Sequence, residues 1–186
     1  MKAAVDLAIA HFRSLDIVVN NAGLLAPVHR LADFTPKNWD QVNDVNVKGF
    51  FYMMHAARPT MIAQGGGTIL NISSGATYGV LDGWSHYCAS KAAVLQLTRS
   101  GHKEYESQGI TCLGLSLGTA ATDMQVLIKA SGVNLITKLE VNDHILASDV
   151  AQAVAYRRDP AGAEFAGEDF HLKAPEPRAM ISVSAR

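Results

Sequence analysis

Four short, mainly apolar runs are separated along the chain by longer segments with helical spacing. The runs are DIVVN (16–20), GTILNIS (67–73), ITCLGLS (110–116) and EDFHLK (168–173). This alternation predicts an α/β fold in which each run is a strand of a parallel sheet. Because such strands are covered by helices, we expect both faces of each strand to be buried.

Two of the intervening segments carry clear helix signals. Residues 35–64 predict one long or broken helix, with Thr35 as its N-cap and Pro36 at its first position. Residues 87–106 predict a second long helix, because apolar side chains recur there at helical spacing and Gly109 supplies a stop. The two helices therefore separate the first three strands.

The C-terminal third of the chain has weaker patterns. Residues 124–149 lack a clear period and are expected to form a mobile flap with partial helix. The segment SDVAQAVAYRR predicts a final helix with Ser148 as its cap. The tail at 174–186 is expected to be an extended surface segment, and residues 1–186 are interpreted as a single domain.

Composition narrows the class of protein. The chain is 48% hydrophobic with a formal net charge of −1, which is typical of a globular protein and gives no reason to expect nucleic-acid binding. No apolar run approaches the roughly 20 residues that span a bilayer, and charged residues interrupt the opening segment, which we interpret as a helix and not a signal peptide. Two cysteines, Cys88 and Cys112, are too few for a disulfide framework, so we expect a soluble, cytoplasmic protein.

The stretch SHYCASKAAV (85–94) places Tyr87 and Lys91 one helical turn apart. Residues four apart share a helix face, so the lysine ammonium would lie near the phenol. A nearby cation lowers a tyrosine pKa, which would make Tyr87 a usable acid or base at neutral pH. Taken alone, such a pair is more often a packed tyrosine beside a solvated lysine.

Other polar residues stand where the predicted strands end. Ser73 and Ser74 follow the strand at 67–73, at the carboxyl edge where open α/β sheets bind ligands. NNAG (20–23) closes another strand, with Gly23 allowing close backbone approach. Asn46 lies among apolar residues of a predicted helix. Each feature alone has a plain structural alternative, respectively a turn, a loop and a satisfied buried amide.

Together these segments resemble the short-chain dehydrogenase/reductase (SDR) family. DIVVNNAG, NVKGFF, GTILNISS, YCASKAAV and GTAATDM occur in the family's order, and the likeness runs to about Lys173. The resemblance implies a Rossmann-like, doubly wound parallel sheet. It also implies NAD(P)(H)-linked interconversion of a small-molecule carbonyl compound and an alcohol.

The resemblance implies a role for each candidate catalytic residue. Tyr87 matches the family's proton donor or acceptor, and Lys91 matches the lysine that lowers the tyrosine pKa and holds the ribose. Ser74 matches the serine that hydrogen-bonds the substrate oxygen, and Asn46 matches the asparagine that supports a water relay. Trp84 and His86 are candidates for the substrate mouth, although packing explains them equally well.

The resemblance also implies a cofactor site for NAD or NADP, and no metal site. Its candidate residues are Asn21, Ala22, Gly23, Tyr87, Lys91 and Thr122.

One family element is not found in the printed sequence. The Gly-rich turn T-G-x-x-x-G-x-G, which seats the pyrophosphate, has no match, because the glycines at 65–67 precede a strand. If the family's strand order 3-2-1-4-5-6-7 applies, the chain begins near the third helix as an N-terminally truncated sheet of about four strands. We then expect 16–20 to be an exposed edge, and dinucleotide binding to be weak or absent.

Three functions are compatible with these features. The first is NAD(P)(H)-linked oxidoreductase activity, impaired in this chain. The second is a non-catalytic family remnant that acts as a binding or structural protein. The third is a cofactor-independent, esterase-like hydrolase that uses Ser74 with Tyr87 and Lys91.

The two long helices also predict a homodimer or higher homo-oligomer. In the SDR family the matching helices pair across a two-fold axis. The apolar residues expected to serve this contact are Phe50, Phe51, Met53, Met54 and Leu97.

Overall fold

Four parallel strands form one sheet in the computed structural model, which describes residues 1–156 and 165–172. They are β1 (Ile17–Asn20), β2 (Gly67–Ser73), β3 (Ile110–Ser116) and β4 (Asp169–His171), and they are adjacent in that order. The predicted α/β fold and its four strands are confirmed. The sheet is Rossmann-like, because every connection returns to the next parallel strand through helix.

In the part of the chain that the structure describes, six α-helices connect and flank the strands. They are α1 (Lys2–Phe12), α2 (Pro36–Asn43), α3 (Gly49–Ala63), α4 (Ser85–Tyr105), α5 (Asp123–Ser131) and α6 (Ala147–Tyr156). Short 3-10 turns occur at Leu31–Asp33, Gly75–Thr77, Glu106–Gln108, Leu135–Lys138 and Val141–Asp143. Within the described parts of the chain, every helix is too short or too polar to span a bilayer.

The predicted long helix at 35–64 is continuous but changes its winding. Thr35 caps it as predicted, since its hydroxyl accepts a hydrogen bond from the Asn38 amide at 3.2 Å. One π-helical turn, Asp44–Lys48, joins α2 to α3. Such turns insert a residue into the helix and often lie at functional sites. Here the inserted turn contains Asn46.

Two glycines fix the starts of the central strands. A side chain on Gly66 would lie 2.6 Å from the carbonyl oxygen of Gly109, so only glycine permits this approach. Gly109 also has a φ of 82°, which ends the turn after α4 as the sequence predicts. Immediately beyond this contact, Gly67 pairs with Ile110, and β2 and β3 begin in register.

Helices cover both faces of the sheet. On one face Ile69 and Cys112 pack with α1 and α3, and Asn71 bonds Thr98 of α4 at 2.9 Å. On the other face Leu70, Leu113 and their neighbours pack against α6. Successive side chains of β2 and β3 therefore pack alternately into two cores, one on each face of the sheet, as expected for strands buried on both sides.

β1 departs from the expectation that every strand is buried on both faces. Val18 and Asn20 are buried, but Val19 is 42% exposed. Among the described residues β1 pairs only with β2, so it is an edge strand, as predicted. No helix among the described residues covers its outward face, and the expectation of burial was wrong for this strand.

The weakly patterned region is partly helical, as predicted for residues 124–149. It contains α5 and two 3-10 turns, whereas its mobility stays a prediction. Ser148 lies inside α6 and does not precede it, because the helix begins at Ala147. The predicted surface tail at 174–186 lies outside the described residues.

Candidate active site

The carboxyl end of β2 holds the centre of the candidate site. The carbonyl oxygen of Ile72 accepts a hydrogen bond from Lys91 Nζ at 2.8 Å. Two residues on, Ser74 leaves the strand in an extended conformation, and its hydroxyl lies beside the phenol of Tyr87. The strand end therefore contacts both members of the Tyr87 and Lys91 pair on α4.

Lys91 is a buried cation. Lys91 belongs to α4, and only 2% of the residue is exposed. Its Nζ is 5.7 Å from the ring centre of Tyr87 and 5.3 Å from that of Phe50. Burial lowers the pKa of Lys91 from 10.5 to about 8, and the charge of Asp169 opposes that change. The ammonium is thus held close to the phenol in a nearly dry environment.

The pKa of Tyr87 differs from the sequence-based expectation. Burial raises the pKa of the phenol above its ordinary value, and the hydrogen bond from Ser74 only partly offsets this. The expected lowering by Lys91 was wrong for this conformation, since the lysine ammonium is directed at the Ile72 carbonyl. Loss of solvent here outweighs a cation one helical turn away.

Asn46 holds the floor of the site together. Its side-chain oxygen accepts from the Leu24 amide at 2.7 Å, while its nitrogen donates to the Leu24 carbonyl at 2.8 Å and to Ser90 Oγ at 3.0 Å. The amide is fully buried in the π-helical turn. It fixes the loop after β1 against α4.

The candidate cofactor residues meet in one cleft of about 360 Å³. Its wall also includes Ser74 and the Gly118 loop after β3. All six residues proposed for cofactor binding line it: Asn21, Ala22, Gly23, Tyr87, Lys91 and Thr122. We name this space the cofactor-side cleft.

A second cleft, of about 300 Å³, adjoins the first. Ser74, Tyr87, Gly118, Met124 and Gln125 line both spaces, so the two clefts meet at the hydroxyls of Ser74 and Tyr87. The second space, which we name the substrate-side cleft, is closed by α5 and the 3-10 turn that follows it. Together they form a two-part cleft.

The two candidates for the substrate mouth have different positions. Trp84 lines the substrate-side cleft and packs edge-on against Tyr87, with ring centres 5.7 Å apart. His86 is fully buried, bonds the Leu25 carbonyl through Nε2 and packs on Phe34. Burial lowers the pKa of His86. His86 is therefore a core residue and not a mouth residue.

Sequence reasoning missed Asp169 on β4. Its Oδ2 accepts from Ser73 Oγ at 2.6 Å and from the Tyr78 hydroxyl at 3.3 Å. The carboxylate reaches β2 across Gly114, where a side chain would lie 1.7 Å from Oδ1. The available signal for this residue was a carboxylate within a short predicted strand. Its pairing with Gly114 is apparent only from the strand register.

Comparison with known proteins identifies the family. The family model described as short chain dehydrogenase matches residues 1–131. The chain belongs to the short-chain dehydrogenase family. The family is one of oxidoreductases that use NAD(P) and act on small molecules.

Two curated relatives illustrate the sequence likeness of this short-chain dehydrogenase. 3-Oxoacyl-[acyl-carrier-protein] reductase FabG of Staphylococcus aureus is 31% identical over 173 residues, which cover 92% of this chain and 70% of the relative. Cyclohexanol dehydrogenase of an Acinetobacter strain is 39% identical over 110 residues, covering 59% of this chain and 44% of the relative.

Solved structures share the fold of this short-chain dehydrogenase. An NAD+-bound xylitol dehydrogenase superposes with a TM-score of 0.81 at 21% identity, covering 92% of this chain and 72% of its own. A short chain dehydrogenase/reductase of Saccharomyces cerevisiae gives 0.84 at 24% identity, covering 96% and 74% respectively.

The residues of the cofactor-side cleft fit a nicotinamide nucleotide. A side chain on Gly23 would lie 3.7 Å from Lys91 Nζ and 3.8 Å from Asn46 Oδ1, so this glycine keeps the cleft floor open. Of the three N–H donors of Lys91, one is used by Ile72 among the described residues. An open floor beside free donors suits a ribose with its hydroxyls.

Proposed function

We propose that this short-chain dehydrogenase interconverts a carbonyl compound and an alcohol in the two-part cleft, with NAD(P)(H) as the co-reactant. One observation carries the proposal: Ser74 and Tyr87 lie side by side where the two clefts meet. A carbonyl oxygen at that junction would be within reach of both hydroxyls. Its carbon would face the cofactor-side cleft.

The proposed chemistry divides between the two hydroxyls. Ser74 donates a hydrogen bond that orients the carbonyl oxygen and stabilises the negative charge that develops on it. Tyr87 donates its proton to that oxygen during reduction, and takes it back during oxidation of the alcohol. The nicotinamide, when bound, supplies or accepts the hydride at the reacting carbon. The raised pKa of Tyr87 keeps the phenol protonated, as reduction requires.

Lys91 and Asn46 are proposed to position this pair. Lys91 would hold the ribose through its remaining donors while Ile72 anchors its ammonium. Asn46 is a positioning residue, because all its hydrogen bonds given above join Leu24 to Ser90. Its support of a water relay stays part of this proposal.

A hydrolase is less well supported than an oxidoreductase. Ester cleavage by Ser74 would need a base beside its hydroxyl at neutral pH. Burial raises the pKa of Tyr87 and keeps the neighbouring phenol protonated, so it is a poor base for the Ser74 proton. Absence of both activities would leave the non-catalytic binding role.

An assay with excess reduced cofactor tests the proposed function. The chain would be incubated with NADPH or NADH and a panel of neutral ketones and aldehydes, and alcohol products would be measured by chromatography. Formation of alcohol that depends on both cofactor and protein is expected. Cofactor-free cleavage of p-nitrophenyl acetate, with no alcohol formed, would instead support the hydrolase.

The 186-residue chain alone is expected to bind dinucleotide weakly. The cofactor-side cleft offers Asn21, Gly23, Lys91 and Thr122 to the nicotinamide half, and the printed sequence holds no Gly-rich turn for the pyrophosphate. Two or three lost charge-assisted hydrogen bonds, at roughly 1.5–3 kcal/mol each, weaken binding by several powers of ten. Fluorescence titration of NADPH should therefore fail to saturate at micromolar concentrations.

A matched variant sharpens this titration. Gly23→Leu places a larger side chain against Lys91 Nζ and should abolish the residual binding. A micromolar Kd for the unsubstituted chain would contradict the expectation of weak binding. Equal binding by Gly23→Leu would show that the nucleotide lies elsewhere.

Self-association is proposed through the outer face of α3 and α4. Phe51 and Tyr52 are 48% and 51% exposed there, beside a groove of about 190 Å³ that Leu97 and Tyr105 also line. Phe50, in contrast, is buried over Lys91, so it was wrongly assigned to this contact. An exposed aromatic pair beside an apolar groove suits a two-fold contact between copies.

Light scattering checks the proposed dimer. The unsubstituted chain should give the mass of a dimer or larger assembly, and Phe51→Glu should shift it toward monomer because a charge enters the apolar contact. Val80→Glu is the matched control, since Val80 is 97% exposed in a loop outside these helices. A monomer mass for the unsubstituted chain would reject the dimer.

A cytoplasmic location is proposed on the basis of the cysteines. Cys88 and Cys112 are both free, and Cys112 is buried on β3. Burial raises the pKa of the Cys112 thiol to about 12, which keeps it protonated and unreactive. Unpaired thiols of this kind suit a reducing compartment.

A further inference from the structure

A row of buried polar side chains crosses the sheet under α4. Asn20, Asn71 and Asp169 occupy one register position on β1, β2 and β4, with Gly114 of β3 between the last two. Each of the three polar residues is at most 8% exposed. Paired residues of parallel strands project from the same face of a sheet, and Asn71 donates to Thr98 of α4 at 2.9 Å. Asp169 therefore lies in the layer between the sheet and α4.

The Asp169 carboxylate is only partly satisfied by hydrogen bonds. Its Oδ2 accepts from Ser73 Oγ at 2.6 Å and from the Tyr78 hydroxyl at 3.3 Å. Its Oδ1 lies over Gly114, is buried, and has no hydrogen-bond partner among the residues that the structure describes. A buried carboxylate of this kind requires a nearby positive charge to offset its lost hydration.

Three basic side chains interact electrostatically with Asp169. His171 lies two residues along β4, and Arg99 on α4 pairs with the exposed Glu168 at 2.7 Å. The third is Lys91, which is only 2% exposed and whose ammonium donates to a carbonyl and not to a carboxylate. Lys91 and Asp169 are thus a buried cation and a buried anion on the same side of the sheet.

The immediate surroundings of Lys91 supply no other counter-charge. The residues that approach its Nζ from the loop after β1, from α3 and from β2 are uncharged, namely Gly23, Phe50 and Ile72. On α4 itself, the titratable neighbour is Tyr87, whose raised pKa keeps it neutral. Burial lowers the pKa of Lys91 to about 8, and among the described residues the charge of Asp169 is what opposes this change.

Asp169 also has groups around it that favour its charged form. Burial raises the pKa of the carboxyl above its ordinary value. The hydrogen bond from Ser73 opposes this rise most strongly, followed by the charge of His171, the hydrogen bond from Tyr78 and the charge of Arg99. These groups therefore stabilise the carboxylate that faces α4.

We propose that Asp169 is a positioning residue of the candidate active site, which anchors the carboxyl end of β2 through Ser73 and is the counter-charge that keeps Lys91 an ammonium at neutral pH. The two effects meet on β2, because Ser73 stands between Ile72, which accepts from Lys91, and Ser74. The inference deepens the proposed function and rests on it for its use, since an ammonium offers three N–H donors to a ribose and a neutral amine offers fewer.

Titration of Lys91 tests this inference without cofactor or ketone. In a chain with 13C-labelled lysine, the Cε signal of Lys91 reports its protonation, and its loss in Lys91→Met assigns it. The midpoint should lie at about pH 8 in the unsubstituted chain. Asp169→Asn keeps the shape of the side chain and removes its charge, so the midpoint should move to lower pH. An unchanged midpoint in folded Asp169→Asn would overturn the inference.

Glu168→Gln is the matched control for this titration. It removes an equal charge from the adjacent position, but this side chain is 59% exposed and pairs with Arg99 at the surface. The Lys91 midpoint should remain that of the unsubstituted chain. An equal fall in both variants would also overturn the inference, because it would assign the effect to net charge and not to the buried carboxylate.

Denaturant unfolding separates the charge of Asp169 from its packing. At pH 7, Asp169→Asn should destabilise the unsubstituted chain more than it destabilises Lys91→Met. At pH 10 the two losses should be equal, because Lys91 is then neutral in the folded state. The hydrogen bonds from Ser73 and Tyr78 are changed alike in both backgrounds, so they cancel in this comparison. Equal losses at pH 7 would reduce Asp169 to a structural residue.

A further titration covers the case in which Asp169→Asn does not fold. In the unsubstituted chain, the carboxyl 13C signal of Asp169 should shift at the Lys91 midpoint of about pH 8. Lys91→Met should lack this step and keep any step that arises from His171. A missing step in the unsubstituted chain, or its persistence in Lys91→Met, would contradict the counter-charge.

The outcomes distinguish this inference from the proposed function. A lowered Lys91 midpoint in Asp169→Asn, together with no NAD(P)H-dependent reduction, would establish the counter-charge and refute the proposed function. Reduction of ketones by a chain whose Lys91 midpoint is unaffected by Asp169→Asn would sustain the proposed function and overturn the role of Asp169.

Discussion

Replacing Tyr87 with phenylalanine should lower carbonyl turnover by roughly 10²- to 10⁴-fold while the fold is retained. The substitution removes the proton donor but keeps the ring that packs against Trp84 in the buried cluster. Steady-state alcohol formation with excess NADPH or NADH measures the loss. Circular dichroism and thermal unfolding establish that the variant is folded.

A second tyrosine on the same helix provides the control. Tyr105 lies at the end of α4, and its hydroxyl accepts a hydrogen bond from Arg58 at 3.3 Å, away from the two-part cleft. Tyr105→Phe should leave turnover nearly unchanged. Turnover that persists in a folded Tyr87→Phe protein would mean that the proton comes from another group.

Replacing Lys91 with methionine should change how stability depends on pH. Burial lowers the pKa of Lys91 from 10.5 to about 8, so the folded state disfavours the charged form. The penalty is fully present below pH 8 and is lost as the pH rises from about 8 to 10.5, where the unfolded chain releases its proton. At about 1.4 kcal/mol per pKa unit, it amounts to about 3 kcal/mol.

The unfolding free energies of the two proteins should therefore converge or cross with pH. Between pH 7 and pH 10.5, the unfolding free energy of the unsubstituted chain should rise by about 3 kcal/mol relative to that of Lys91→Met. The variant lacks the hydrogen bond to Ile72 at both pH values. Denaturant unfolding at a series of pH values measures this change. Lys103→Met, at an 86% exposed position on the same helix, is the control and should show little change. A pH-independent difference for Lys91→Met would contradict the burial of a charged lysine.

The central strands were predicted to the residue because local signals fix their ends. β2 and β3 coincide with the apolar runs at 67–73 and 110–116. Glycines precede both runs, and their close approach sets the register. The N-cap at Thr35 was equally local, since a capping hydroxyl followed directly by a proline suffices to start a helix.

Features that depend on tertiary packing were not predictable in this way. The exposure of Val19 depends on which elements lie next to β1, and the residues of the strand itself do not indicate them. The π-helical turn at Asp44–Lys48 contains Asn46, whose hydrogen bonds to Leu24 and Ser90 join distant segments of the chain. Sequence spacing alone predicts a regular helix there.

The motifs nominated residues that do lie together, but the electrostatics of those residues were not predicted. Helical spacing placed Lys91 near Tyr87, which the structure bears out at 5.7 Å. The pKa of Tyr87 was mispredicted because solvent exclusion comes from the surrounding cluster and not from α4 itself. Likewise, Trp84 lies at the cleft and His86, two residues later, lies in the core, a difference that only the packing of His86 against Leu25 and Phe34 decides.

Deuterium transfer from reduced nicotinamide to a ketone tests most directly whether the two-part cleft is a dehydrogenase active site. The chain would be incubated with a large excess of NADPH or NADH deuterated at both C4 positions and with a panel of neutral ketones, and the alcohols would be analysed by mass spectrometry. We expect deuterium at the carbinol carbon with the unsubstituted chain, and none above the protein-free background with Tyr87→Phe. Equal labelling by the two proteins, or no labelling of any ketone by the unsubstituted chain, would contradict the assignment.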